Sequence, residues 1–212
     1  MDDQSHYIIG YGSLITKESR FNTGQTGKCM PVTIKNYCRS WTARINNKGK
    51  RYTAVSIHHS PGSTINAVIT EIKSSELSKY DRREINYSRV LIPASNIKKY
   101  NTDKPLSKAV VWAYIINPKY SKPASYKYPI LQSYVDIILT GCNRISNKFM
   151  KDFINNTVGW ENVNDKRYTW VNDREKPYYN FKCNKLCHKT KNIDKLLKQY
   201  VPQAFYKRVA AA

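Results

Sequence analysis

"VTIKNYCRSWTARINNKGKRYTAVSIHHSPGSTINAVITEI", residues 32–72, sets the class of this fold. β-Branched and aromatic residues crowd positions 32–45, 52–58 and 65–72, and two clusters of turn formers divide them: Asn46-Asn47-Lys48-Gly49 and Ser60-Pro61-Gly62-Ser63. The pattern predicts three strands laid side by side as antiparallel neighbours.

Upstream, residues 6–10 form a short apolar strand, and residues 13–20 begin a helix with Ser13 at or beside its cap. Downstream, the period changes to helical over 74–85. There Ser74 is placed to cap the first turn, Glu76 suits the positive end of the dipole, and Leu77, Tyr80 and Glu84 share one face. Strands return at 87–92 and 109–116, helices follow at 129–142 and 146–155, and residues 159–179 read as an ordered functional loop. Strands precede helices without regular βαβ alternation, so the class is α+β with an antiparallel or barrel-like sheet.

The chain has 212 residues, 41% of them apolar and 12% aromatic, enough for one domain with a proper core. No stretch approaches the ~20 apolar residues of a membrane helix. The polar start lacks the layout of a secretory signal, so a soluble cytoplasmic protein without a membrane partner is expected. Five cysteines are an odd number without framework spacing, which favours free thiols.

A formal charge of +21 raises the question of polyanions. The cations, however, are spread from Lys17 to Arg208, clustering only at Lys182, Lys185, Lys189, Lys191, Lys195 and Lys198, and no nucleic-acid motif accompanies them. A solvated basic surface is favoured over nucleic-acid binding. Cys183, Cys187 and His188 invite a zinc reading but lack a second ligand pair, since His58 and His59 complement them poorly; no metal or cofactor is expected.

Two features carry chemistry. In "IIGYGSLITKESR", residues 8–20, Gly12 permits a backbone approach closed to other residues, so the amides of Gly12, Ser13 and Leu14 can converge on a carboxylate or oxyanion. An ordinary glycine turn ending a strand explains the same residues. The context is neither a nucleophile elbow nor a P-loop. In "YDRREINYSR", residues 80–89, Glu84 lies on the inward stripe of its helix. Either it pairs with Arg82, Arg83 or Arg89, or burial and the negative helix end raise its pKa toward values useful for proton transfer, which nearby arginines would oppose.

"GYGSLI", "SWTAR" at residues 40–44 and "YDRREINYSRV" together resemble the γ-glutamylcyclotransferase superfamily, marked by a Y-G-S loop and a later glutamate in a D-x-x-E-x-x-Y-like setting. "SYVDIILTGC" and "WVNDREKPYY" are similar to bacterial and plant members, extending the likeness over residues 7–179. The resemblance implies a small closed antiparallel or mixed β-barrel with packed helices and a substrate cavity at its mouth. It places Tyr11, Gly12, Ser13 and Leu14 in the substrate-binding loop, Glu84 as the catalytic glutamate and Tyr87 as the tyrosine that follows it. The implied partner is a small γ-glutamyl substrate, released as 5-oxoproline plus an amine or amino acid. Two other functions fit the same residues: the fold without this activity, as a small-ligand binder, or a basic nucleic-acid-binding protein.

Two departures stand out: Ala67 where many relatives carry glycine, which would alter the pocket floor, and the basic tail. The domain division is accordingly 1–181 for the cyclotransferase-like body and 182–212 for a basic extension packed on it or trailing from it. Arg174 or Tyr178 would meet the substrate if "WVNDREKPYY" forms a lid.

Overall fold

The computed structural model describes residues 6–24, 26–47, 49–84, 86–102, 104, 109–165, 167–178 and 190–211. Lys182, Cys183, Lys185, Cys187, His188 and Lys189 lie outside the described residues, as do Ile85 and Tyr179.

In chain order the elements are β1 (His6–Gly10), α1 (Lys17–Phe21), β2 (Cys29–Asn47), β3 (Lys50–Ile72), α2 (Leu77–Arg83), β4 (Tyr87–Leu91), β5 (Ile97–Lys99), β6 (Val110–Ile116), β7 (Ile130–Leu131), α3 (Gln132–Ile145), α4 (Asn147–Asn155), β8 (Thr157–Val158), β9 (Trp170–Asn172), α5 (Thr190–Tyr200), α6 (Pro202–Tyr206) and β10 (Val209–Ala210). The main sheet runs β4-β6-β1-β3-β2-β5 with β8 beside β2, and a small sheet runs β10-β9-β7. The class is α+β with a mixed sheet, since β1 pairs parallel to β6 and antiparallel to β3.

The centre is one long hairpin, β2 with β3, turning at Asn47 and Lys50 as the Asn-Asn-Lys-Gly cluster predicts. The Ser-Pro-Gly-Ser cluster does something different. Lys35 pairs with Thr64 and Tyr37 with His59, so residues 60–63 bulge out of a single strand opposite Asn36. Asn36 and Gly62 both take left-handed backbone (φ 62 and 81), and the Gly62 amide donates to Asn36 Oδ1 at 3.2 Å. Residues 52–58 and 65–72 are therefore two lengths of one bent strand and not antiparallel neighbours. A turn signal specifies local backbone, but whether the chain reverses there depends on partners elsewhere.

The expected closed barrel is also corrected: the sheet stays open, with β4 at one end of its order and β5 at the other. β5 contributes only three paired positions to β2, too few to stagger into closure. These edges are short and carry Ser88, Arg89, Lys98 and Lys99, which discourage further pairing. Helices cover the sheet instead. α3 and α4 bury Tyr134, Ile138, Leu139, Phe149 and Phe153 in the same cluster as Val32, Ile34, Trp41 and Ile57. The Ser146 side chain caps α4, accepting from the Phe149 amide at 3.0 Å.

The described part of the C-terminal extension joins this core: Ile193, Leu196, Leu197 and Phe205 belong to the same buried cluster. An ion-pair latch fixes it, with Arg174 bound to Asp136 at 2.7 Å and to Asp194 at 2.8 Å. Arg174 thus acts as a tether inside the structure, joining α3 to α5. Asp173 beside it accepts from the Ser133 amide (2.8 Å) and hydroxyl (2.6 Å), holding "WVNDREK" against the first turn of α3. Ala67 is fully buried opposite Val32.

Candidate active site

The corner after β1 is built by packing. Ile8 and Ile9 are buried on opposite sides of the strand, and Gly10 follows where a side chain has no room: a Cβ there would lie 2.7 Å from the Leu14 carbonyl oxygen. The chain then tightens into a 3-10 turn over Ser13–Ile15, closed by the Ile15 amide on Gly12 O at 2.9 Å. That leaves the amides of Gly12, Ser13 and Leu14 without an acceptor among the described residues. Gly12 is demanded by proximity: a Cβ would sit 2.8 Å from Val55 Cγ2 and 3.1 Å from the Tyr134 hydroxyl. We expect Gly12→Ala to force Val55 aside, crowd Tyr134 and cost about 1–3 kcal/mol, measured by denaturant unfolding.

The second half comes from α2. This helix is shorter than the periodicity predicts, because residues 74–76 form a 3-10 turn in which Ser74 caps nothing. Tyr80 is buried in a small cluster with Ile8, Leu14, Ile72 and Tyr114, so α2 is packed directly on the strand and turn that form the corner. Glu84 stands at the C-cap with non-helical backbone (φ −97, ψ 47), its amide still bonded to Tyr80 O.

The two halves meet. Tyr11, Gly12, Ser13, Leu14, Glu84 and Tyr87 all line one narrow hollow, together with Tyr114 and Tyr134. It adjoins a cleft of about 380 Å³ that shares Ser13, Glu84, Tyr87 and Tyr134 and adds Asn46, Asn47, Tyr52, Arg83 and Asn86. Burial raises the pKa of the Glu84 carboxyl, and the neighbouring Arg83 charge opposes the rise. Burial likewise raises the hydroxyls of Tyr11, Tyr87 and Tyr134, with the Glu84 charge adding to each, so these phenols remain protonated donors.

Both sequence alternatives for Glu84 are therefore present at once: Arg83 Nε lies 3.2 Å from Glu84 Oε1, yet the carboxyl remains buried in the hollow with only 16% of its side chain exposed. Such an arrangement can bind an anionic group on backbone amides, exclude most water and move a proton at Glu84.

Several residues escape sequence reasoning. Tyr134 sits on the apolar stripe of α3, and the only signal available was a phenol on that stripe needing a partner for its hydroxyl. Arg39 is fully buried beneath the corner. It donates to Thr157 Oγ1 (2.7 Å), to Asn66 O (2.8 Å) and Oδ1 (2.9 Å), and to the carbonyls of Phe153 (3.2 Å) and Tyr11 (3.4 Å). Tyr178, expected in a lid, packs its ring 5.4 Å from that of Tyr52 at the cleft. Among cysteines, Cys142 lies in the core, where burial pushes its thiol up to about 12, while Cys29 and Cys38 are half-buried. The described residues contain no group of three or more His, Cys, Asp or Glu side chains placed to hold a metal.

No family model and no curated protein matches the sequence. Solved structures do match the fold. A γ-glutamyl cyclotransferase aligns with a TM-score of 0.56 and 14% identity over 71% of this chain and 86% of the other. An uncharacterized protein from Homo sapiens gives 0.54 and 16% over 71% and 87%. YkqA from Bacillus subtilis gives 0.50 and 18% over 69% of this chain and 52% of its own. At these identities the likeness is one of fold.

Proposed function

We propose that this chain, which has a γ-glutamyl cyclotransferase-like fold, is an enzyme of that kind, releasing 5-oxoproline from a γ-glutamyl amino acid, peptide or amine. One observation carries the reading: Glu84 lines the same hollow as Gly12, Ser13 and Leu14, whose amides have no acceptor among the described residues.

In this mechanism the amides hold the α-carboxylate or polarise the γ-carbonyl. Glu84, as carboxylate, takes a proton from the α-ammonium group. The freed amine attacks the γ-carbonyl carbon of its own molecule, a ring C–N bond forms, and the γ-amide C–N bond breaks. Glu84 returns its proton to the departing nitrogen, and the second proton lost by the ring nitrogen is taken up by the released amine, which leaves as an ammonium group. Nucleophile and electrophile belong to one molecule, so folding the substrate supplies much of the effective molarity. The narrow hollow suits the ring-forming part and the adjoining cleft the departing group.

Incubation with a γ-glutamyl dipeptide, γ-glutamyl-lysine and glutathione, followed by quantification of 5-oxoproline, tests this. Release from at least one, at a rate proportional to enzyme, is expected. Absence of 5-oxoproline from all three defeats the proposal.

A further inference from the structure

Arg83 stands between the two halves of the site. Its Nη1 donates to Ser19 O at 3.1 Å and to Thr23 Oγ1, its Nη2 to Ser13 Oγ at 3.1 Å and to Ser19 Oγ at 2.9 Å, and its Nε faces Glu84 Oε1 at 3.2 Å. Four N–H donors, two on each Nη, are thus spent on protein acceptors, and Nε keeps an ion-pair contact with the Glu84 carboxylate. The planar fork also fixes directions that a lysine would leave free.

We propose that Arg83 is the positioning residue of this site: it ties the Ser13 corner and α1 to the Glu84 carboxylate, and so sets the separation across which the substrate folds. The turnover consequence rests on the cyclotransferase reading; the link itself does not. Ser13 and Arg83 are 70 positions apart. Without this bridge, corner and carboxylate would be joined only through the apolar contact of Tyr80 with Ile8 and Leu14.

The same guanidinium is the charge that opposes burial at Glu84. The other titratable groups lining the hollow are phenols: Tyr11 after β1, Tyr87 on β4, Tyr114 on β6 and Tyr134 on α3. All four are pushed up by burial and stay neutral, so Arg83 is the charged group opposing burial at Glu84.

The test follows Glu84 by carboxyl-carbon NMR titration in the full chain, as wild type, R83Q and R83K, beside turnover where 5-oxoproline release is detectable. In R83Q the Glu84 midpoint moves to higher pH. In R83K the charge remains and the midpoint stays near the wild type, but the fork is lost. The Ser13 and Leu14 amides then cease to follow the Glu84 titration, and kcat falls about 10²-fold, as expected for a small misplacement.

A Glu84 midpoint unmoved in R83Q overturns the proposal. If R83Q does not fold, Ser13 and Leu14 amides in R83K that still track Glu84 as in the wild type overturn it. A wild type that releases no 5-oxoproline yet shows these shifts leaves the link standing and defeats the cyclotransferase reading instead.

Discussion

Replacing Glu84 with glutamine is expected to lower 5-oxoproline release by about 10²–10⁴-fold while leaving the fold intact. The amide keeps the size and one polar contact of the carboxyl but cannot accept the α-ammonium proton. Stability should move the other way. In the folded chain the Glu84 pKa is raised, chiefly by burial, so the fold binds this proton more tightly than the unfolded chain does. Its stabilising contribution is present below the ordinary carboxylate value and is lost as pH rises through the raised one. Glutamine carries no such pH-dependent penalty, so at neutral pH the variant's melting temperature should be no lower than the wild type's. In the wild type, kcat/KM should climb with pH through the raised pKa, because only the carboxylate is a base. Wild-type turnover in the variant, or a climb that survives in it, would remove Glu84 from the chemistry.

Arg39→Met is expected to be the most destabilising change at this site. Methionine matches much of the apolar stem, which packs its guanidinium end 3.6 Å from the centre of the Phe153 ring, but it donates nothing. Thr157 Oγ1, Asn66 O and Oδ1, and the Phe153 and Tyr11 carbonyls would lose a shared buried donor. Unsatisfied buried acceptors cost about 1–3 kcal/mol each, and partial relaxation brings the total to about 3–5 kcal/mol. For a chain of this length that is a fall on the order of 10 °C in melting temperature, read by circular dichroism. The Tyr11 carbonyl precedes the Gly12 amide, so residual folded protein should also bind 5-oxoproline more weakly. A melt within 2–3 °C of wild type would show that the acceptors find other partners.

What the chain reveals on inspection depends on how local each interaction is. The hairpin turn at 46–49 is legible because Asn and Gly relieve backbone constraints within four residues. The Ser-Pro-Gly-Ser cluster carries an equally strong local signal and misleads, since its role as a bulge follows from Asn36, on the partner strand. α2 was placed by its period, but its start was not, because Ser74 and Glu76 belong to a 3-10 turn that packs ahead of it. The Gly12 corner and Glu84 stood out as oddities against their surroundings: a glycine pair at a strand end, and an acid on an apolar stripe.

Taken alone, then, the order of residues determined the α+β class, the central hairpin and the two chemically unusual segments, for each of these is written in period, propensity or a residue out of keeping with its neighbours. Only the tertiary structure decided that the sheet stays open, that Arg174 is a tether, and that Arg39 and Arg83 stand beneath and between the halves of the hollow. Those outcomes turn on polar groups brought together from distant parts of the chain. A buried guanidinium finds its acceptors by where they lie in space, and spacing along the sequence carries no record of that.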